Sequence, residues 1–301
     1  MIEKLPIQDI QAAEVLMYRD AHFAGSFQEM LTYFRKQGRG ATPNFTLEEI
    51  EKLAAYEEEA GENVAPLILT GVDAERVSKA RDAYKKLREI YEEEGQKSKA
   101  PELLADLILT EDESAAKEIE AICNHGPGII PFLIDLLRSP DFYDPLFPGY
   151  GQTPELTAIC LGKIGDKKAI ISLFETLDAG DFSHEEATLR ALKTLGTPAK
   201  EFLLQVLHAK PITFDNERAA VALIAFKEEP DVSKKALALL LKPEFYNELP
   251  LNTYLALICE GLKDQNEREQ FQALAEDPNI PKMLAKDMRA VIKEWNSSLF
   301  I

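Results

Sequence analysis

The sequence is poor in the residues most chemistry needs. It holds four histidines and three cysteines in 301 residues. The histidines, His22, His125, His184 and His208, are scattered. No H-E-x-x-H, C-x-x-C or other paired metal-ligand spacing occurs. There is no G-x-S-x-G elbow and no G-x-x-x-x-G-K-[ST] phosphate loop. Cys123 and His125 stand two apart on one expected helix, so they point to different sides. The expectation is a chain that is not an enzyme, with no catalytic residue, no metal and no cofactor. An odd number of widely spaced cysteines also argues against a disulfide framework. Cys123, Cys160 and Cys259 each follow an isoleucine late in the first helix of a pair, which suits small buried thiols.

Long apolar runs are absent. The longest, such as Ala219–Phe226 and Ala236–Leu241, are far too short to span a bilayer. The opening MIEKLPIQDIQAAEV has no apolar run of signal-peptide length. A cytoplasmic protein with no membrane partner is expected. Positive charge is scarce as well: 34 Lys and Arg face 52 Asp and Glu, a net of −18. Residues 1–100 carry a net of −5 and residues 101–301 a net of −13. Nucleic-acid affinity rests on neutralising phosphates with Lys and Arg, so no nucleic-acid partner is expected. The same field would attract a basic partner. Convincing period-2 strand patterns are missing too, which leaves an all-α fold.

What the chain has is a repeat. Glu155–Leu177, ELTAICLGKIGDKKAIISLFETL, reads as a helix, a Gly-Asp turn and a second helix. Glu186–Leu207, EATLRALKTLGTPAKEFLLQVL, repeats the scheme. A fixed period of this size means stacked helical hairpins, each burying its apolar face against its neighbours. Hairpins are expected at 111–139, 153–181, 184–210, 215–245 and 251–276, with turns near Gly126, Gly165, Gly196, Lys227 and Lys263 and a last helix at 281–295. The N-terminal third reads as helices near 7–23, 26–37, 46–60, 73–94 and 101–109. Capping boxes are expected at Ser26/Glu29, Thr46/Glu49, Thr110/Glu113 and Ser183/Glu186. The soft stretch Gln96–Ala100 suggests a division into 1–100, a helical cap or start of the array, and 101–301, the repeat domain.

The LGKIGDKKAIISLFETL stretch resembles a HEAT repeat, of the short type first noted in phycobilisome-lyase-like proteins. Leu161, Gly162, Ile164, Gly165, Asp166, Ala169, Ile170 and Leu173 carry the resemblance. It is strongest over 153–207 and extends more loosely over 111–295. It implies a right-handed α-solenoid of HEAT-like hairpins and a binding style rather than a reaction. The implied function is a protein-interaction scaffold or adaptor that takes a protein or peptide, with a basic segment suiting the acidity. The repeat subtype implies an alternative: a tetrapyrrole (bilin) lyase-like protein or chromophore chaperone.

Two features are candidate binding sites. Residues 139–154, SPDFYDPLFPGYGQTP, cannot continue a helix and carry Phe142, Tyr143, Phe147 and Tyr150. They form either a recognition loop or an insertion whose rings fold back to seal a gap. On the second helices, Asp135, Glu175 and Gln205 each stand two residues after a leucine. They form either an acidic-to-polar ladder for a basic segment or an ordinary solvated row. The only notable basic spot is Arg35, Lys36 and Arg39 in FRKQGRG, read as cations complementing a helix end.

Overall fold

Helix-start signals decide where the elements of this chain begin, and the computed structural model shows which of them operate. It describes residues 5–41, 44–92, 98–177, 182–246, 248 and 250–297. Among these there is no strand. The helices are α1 Asp9–His22, α2 Phe27–Arg35, α3 Leu47–Ala60, α4 Ala65–Ile68, α5 Gly71–Glu92, α6 Ala100–Leu109, α7 Ala116–His125, α8 Ile130–Arg138, α9 Thr153–Ile164 and α10 Ile170–Thr176. They continue with α11 Phe182–Leu195, α12 Thr197–Leu207, α13 Phe214–Ile224, α14 Pro230–Leu240, α15 Leu251–Ile258, α16 Gln265–Ala275 and α17 Lys282–Ser297. No helix among the described residues is long and apolar enough to cross a membrane.

Thr46 and Glu49 form the expected reciprocal box at the start of α3, and Gly61 closes that helix in the left-handed conformation. Ser26 accepts from the Glu29 amide at 3.2 Å and caps α2. The expected box at Thr110 is not made. Its hydroxyl accepts from the Asp112 amide at 3.2 Å, and Asp112 in turn holds Ser114 at 2.9 Å. These short-range turns delay α7 to residue 116. Two boxes use acids or amides outside the Glu/Gln rule: Thr70 with Asp73 at the head of α5, and Thr213 with Asn216 at the head of α13. The expected box at Ser183 lies outside the residues whose side chains are described.

The chain divides into two compact units, Met1–Cys160 and Leu161–Ile301. Within the first unit α6 packs on α5 and α7 on α6, and the 139–154 segment packs with α1 and α5. In the first unit α1 is central and packs on α2, α4 and α5. Its Ala12, Val15 and Leu16 are fully buried. The α5 stripe buries Val77, Ala80 and Leu87, while Tyr91 at its end is half exposed and bonds to Asp106 at 2.7 Å.

In the second unit the helices pack in register. α12 lies on α13, α13 on α15, and α15 on α14 and α17. All the predicted turns in this unit are present, at Gly165, Gly196, Lys227 and Lys263. The two glycines of the LGKIG stretch do different work. Gly165 takes φ +75° with open space around it, so it is there for the turn. A Cβ on Gly162 would stand 2.9 Å from the Ala191 Cα, so it is there for the close crossing of α9 and α11.

Ties between equivalent positions of successive helix pairs recur at about one repeat length. Lys200 meets Asp231, 31 residues on, and Lys210 meets Glu244, 34 residues on. Lys227 pairs with Glu260 at 2.8 Å and Lys234 with Glu267 at 3.2 Å. Each pair keeps at least one partner exposed to solvent, so these pairs set register more than stability. The buried ties matter more. Asn216 donates to the carbonyls of Val206, Leu207 and Ala209 at 3.0, 3.1 and 3.0 Å. Asn252 donates to those of Phe245 and Tyr246 at 3.4 and 2.9 Å. Each asparagine, near the start of its helix, donates to chain-end carbonyls of the preceding segment, of which Val206 and Phe245 also accept a backbone amide.

Candidate functional site

The 139–154 segment turns its rings inward. Leu146 and Phe147 are buried with Met17 and Ala21 of α1 and Val77 and Ala80 of α5. Phe142 packs beside Leu87, Ala105 and Ile108. The Tyr143 hydroxyl donates to the Leu137 carbonyl at 2.8 Å. Tyr150 takes a positive φ of 56° between glycines and lies over the FRKQGRG turn. Its ring centroid is 4.9 Å from that of His22, and its hydroxyl donates to Glu111 at 3.1 Å. Phe147 is thus packed into the first unit, while Phe142, Tyr143 and Tyr150 are each partly buried.

Around Tyr150 the structure assembles a polar aromatic cluster that no linear motif announces. Tyr33 donates to the other Glu111 oxygen at 2.6 Å and accepts from the Gly40 amide at 2.9 Å. Tyr18 donates to the Gly40 carbonyl. A Cβ on Gly40 would stand 2.4 Å from the Tyr150 ring, and one on Gly38 would stand 2.3 Å from the Tyr33 ring. The glycines of FRKQGRG thus make room for two rings, Tyr33 from the end of α2 and Tyr150 from far along the chain. Arg39 between them is buried rather than placed as a helix-end cation. It donates to Gln152 and to the Thr110 carbonyl, both at 2.8 Å. Of the other two cations, Arg35 pairs with Glu51 at 2.8 Å and Lys36 sits exposed at the end of α2.

The electrostatics of the cluster follow from burial. His22 has Nε2 at 3.0 Å from the Pro145 carbonyl, which can only accept, so Nε2 carries the proton and Nδ1 accepts from the Tyr84 hydroxyl at 2.7 Å. Desolvation lowers its pKa to about 4, against the weaker pull of the Pro145 carbonyl and Asp144. Burial, with help from the bond to Glu111, pushes Tyr33 up to about 12. Tyr18, Tyr84 and Tyr150 are also raised by burial, and burial pulls Arg39 down. At neutral pH the phenols and the imidazole are uncharged and bonded to one another, to Glu111 or to backbone. The arrangement fastens the 139–154 segment to α1 and α5 and holds no activated nucleophile.

The second candidate set sits differently. Leu133, Leu173 and Leu203 are fully buried, and Asp135, Glu175 and Gln205, two residues on, are exposed. The register read from the sequence is thus the one the helices adopt. Cys160 and Cys259 are buried, Cys123 is partly so, and none is in a disulfide. His184 is one of the residues whose side chains are not described. Among the described residues no group of three or more His, Cys, Asp or Glu is placed to hold a metal ion. Comparison with family models, with curated proteins and with solved structures gives no match.

Proposed function

We propose that this chain is a non-enzymatic interaction scaffold, a right-handed α-solenoid of HEAT-like hairpins that binds a protein or peptide carrying a basic segment. The observation that carries the reading is the repeat-length spacing in the second unit, where the α11–α12 pair is tied to α13–α14, and α13–α14 to α15–α16, by side chains 31 to 34 residues apart. Arrays built this way present long rows of equivalent surface positions, and their usual work is binding. The acidity of residues 101–301 selects a basic partner. With Phe147 buried and the other rings of 139–154 partly so, the acidic rows on the helices are the main contact surface in this reading. Asp135 and Glu175 represent them.

The test is selection of a displayed library of random peptides on the intact chain at low salt. Enrichment of sequences rich in Lys and Arg, lost in 0.5 M salt, is the expected result. A pool that stays flat, or one that enriches acidic sequences, overturns the scaffold reading.

A further inference from the structure

The first unit has an open groove of about 670 Å³ between α2 and α3. Its floor is apolar: Phe27 and Leu31 from α2, Ala54 from α3. Its rim is acidic. Glu57, Glu58 and Glu62 line it against one cation, Arg35, whose guanidinium is taken by Glu51.

Three observations set the character of this groove. First, it is preorganised. Arg19 lies fully buried beneath it and binds Glu57 at 2.7 Å and Asn63 at 3.0 Å, while its guanidinium lies 4.6 Å from the Phe27 ring centroid. One side chain therefore fixes the α3 wall, the loop after it and the α2 floor. Glu57 also accepts from the Val64 amide at 3.0 Å, which locks the loop further. Second, the negative charge is left over. Arg19 answers Glu57, but Glu58, Glu59 and Glu62 have no cation partner among the described residues. Third, this charge sits in the last turn of α3 and just after it, where the helix dipole is already negative. Glu58 and Glu59, unanswered at that helix end, raise the energy of the free chain and are relieved by a cation.

We infer that the α2–α3 groove is a docking site for a short basic peptide segment that places one apolar side chain on Phe27, Leu31 and Ala54 and sets flanking Lys or Arg side chains against Glu58 and Glu62. This rests on the scaffold reading and assigns it a second contact surface, separate from Asp135 and Glu175. The apolar floor fixes register and the acidic rim fixes charge, the division of labour usual for a peptide site.

The experiment uses the full chain and a fluorescein-labelled peptide of Lys and Arg around a single leucine, read by anisotropy at low salt. Glu58→Lys with Glu62→Lys is expected to weaken binding about tenfold, the scale of losing two exposed ion pairs and replacing them with repulsion. The same variant is expected to melt no lower than the parent, since a cation suits the end of α3. Replacing the peptide leucine by serine is expected to weaken binding as well. Asp135→Lys with Glu175→Lys serves as the comparison. If that pair abolishes binding and the Glu58/Glu62 pair leaves it unchanged, the groove assignment falls and the scaffold reading stands. Absence of binding of this peptide to the parent chain at millimolar concentration also overturns the groove. The library selection described above then judges the scaffold reading separately.

Discussion

Gly40 has no room for a side chain, because the Tyr150 ring occupies the place where a Cβ would go. Gly40→Ala should cost about 1–3 kcal/mol by overpacking, measured by denaturant unfolding. Gly165→Ala should cost only about 1 kcal/mol, from the left-handed backbone alone, since nothing crowds that position. Equal costs would mean that the ring adapts and the cluster is loose. His22 makes the second residue-scale prediction. Its folded pKa of about 4 lies below the ordinary histidine value of 6.5. Between those values the unfolded chain binds a proton that the folded chain does not, so stability rises with pH through that window. The contribution is complete above pH 6.5, declines as pH falls, and is gone below about pH 4. Subtracting the pH–stability curve of His22→Gln from that of the parent should isolate this slope. A flat difference curve would place the imidazole in water.

At the scale of the element, most helix limits follow from local chemistry and their joining does not. Thr46, Glu49 and Gly61 fix α3 from both ends with neighbours in sequence. The clasp by Asn216 is different, because it bonds α13 to the end of α12 through three carbonyls. Asn216→Ala should cost about 1–3 kcal/mol, by leaving those buried carbonyls short of donors. Hydrogen exchange should quicken in the last turn of α12 and the first turn of α13. If exchange quickens only at the head of α13, the residue is merely a cap. Asn216 was legible in the sequence only as a mid-array polar residue. It opens a helix in a Thr-x-x-Asn form that the Glu/Gln capping rule passes over.

Across the whole molecule the excess of acid governs behaviour. A net charge of −18 on 301 residues opposes compaction by self-repulsion, and the exposed Lys–Glu pairs between repeats recover little of it. Raising salt from low to physiological strength should therefore raise the melting temperature, followed by circular dichroism, by a few degrees. A fall would mean that the inter-repeat pairs outweigh the general repulsion. The same screening should weaken capture of any basic peptide, so stability and binding are expected to respond to salt in opposite directions.

The sequence by itself determined the helices, the turns and the phase of the apolar faces. Leu133, Leu173 and Leu203 go inward and Asp135, Glu175 and Gln205 outward because a 3.6-residue period is a local property of the backbone. It also determined the charge, and with it the class of partner that electrostatics favours. Tertiary structure alone decided what the 139–154 segment does, because a ring is buried or exposed according to what lies opposite. Opposite it lie the α1 face of Met17 and Ala21 and the space left by Gly40. It decided in the same way that Arg39 is a buried bridge rather than a surface cation, since Gln152 and Thr110 reach it from far along the chain. The two compact units, Met1–Cys160 and Leu161–Ile301, are likewise a matter of which elements pack together, a property no local stretch of sequence holds.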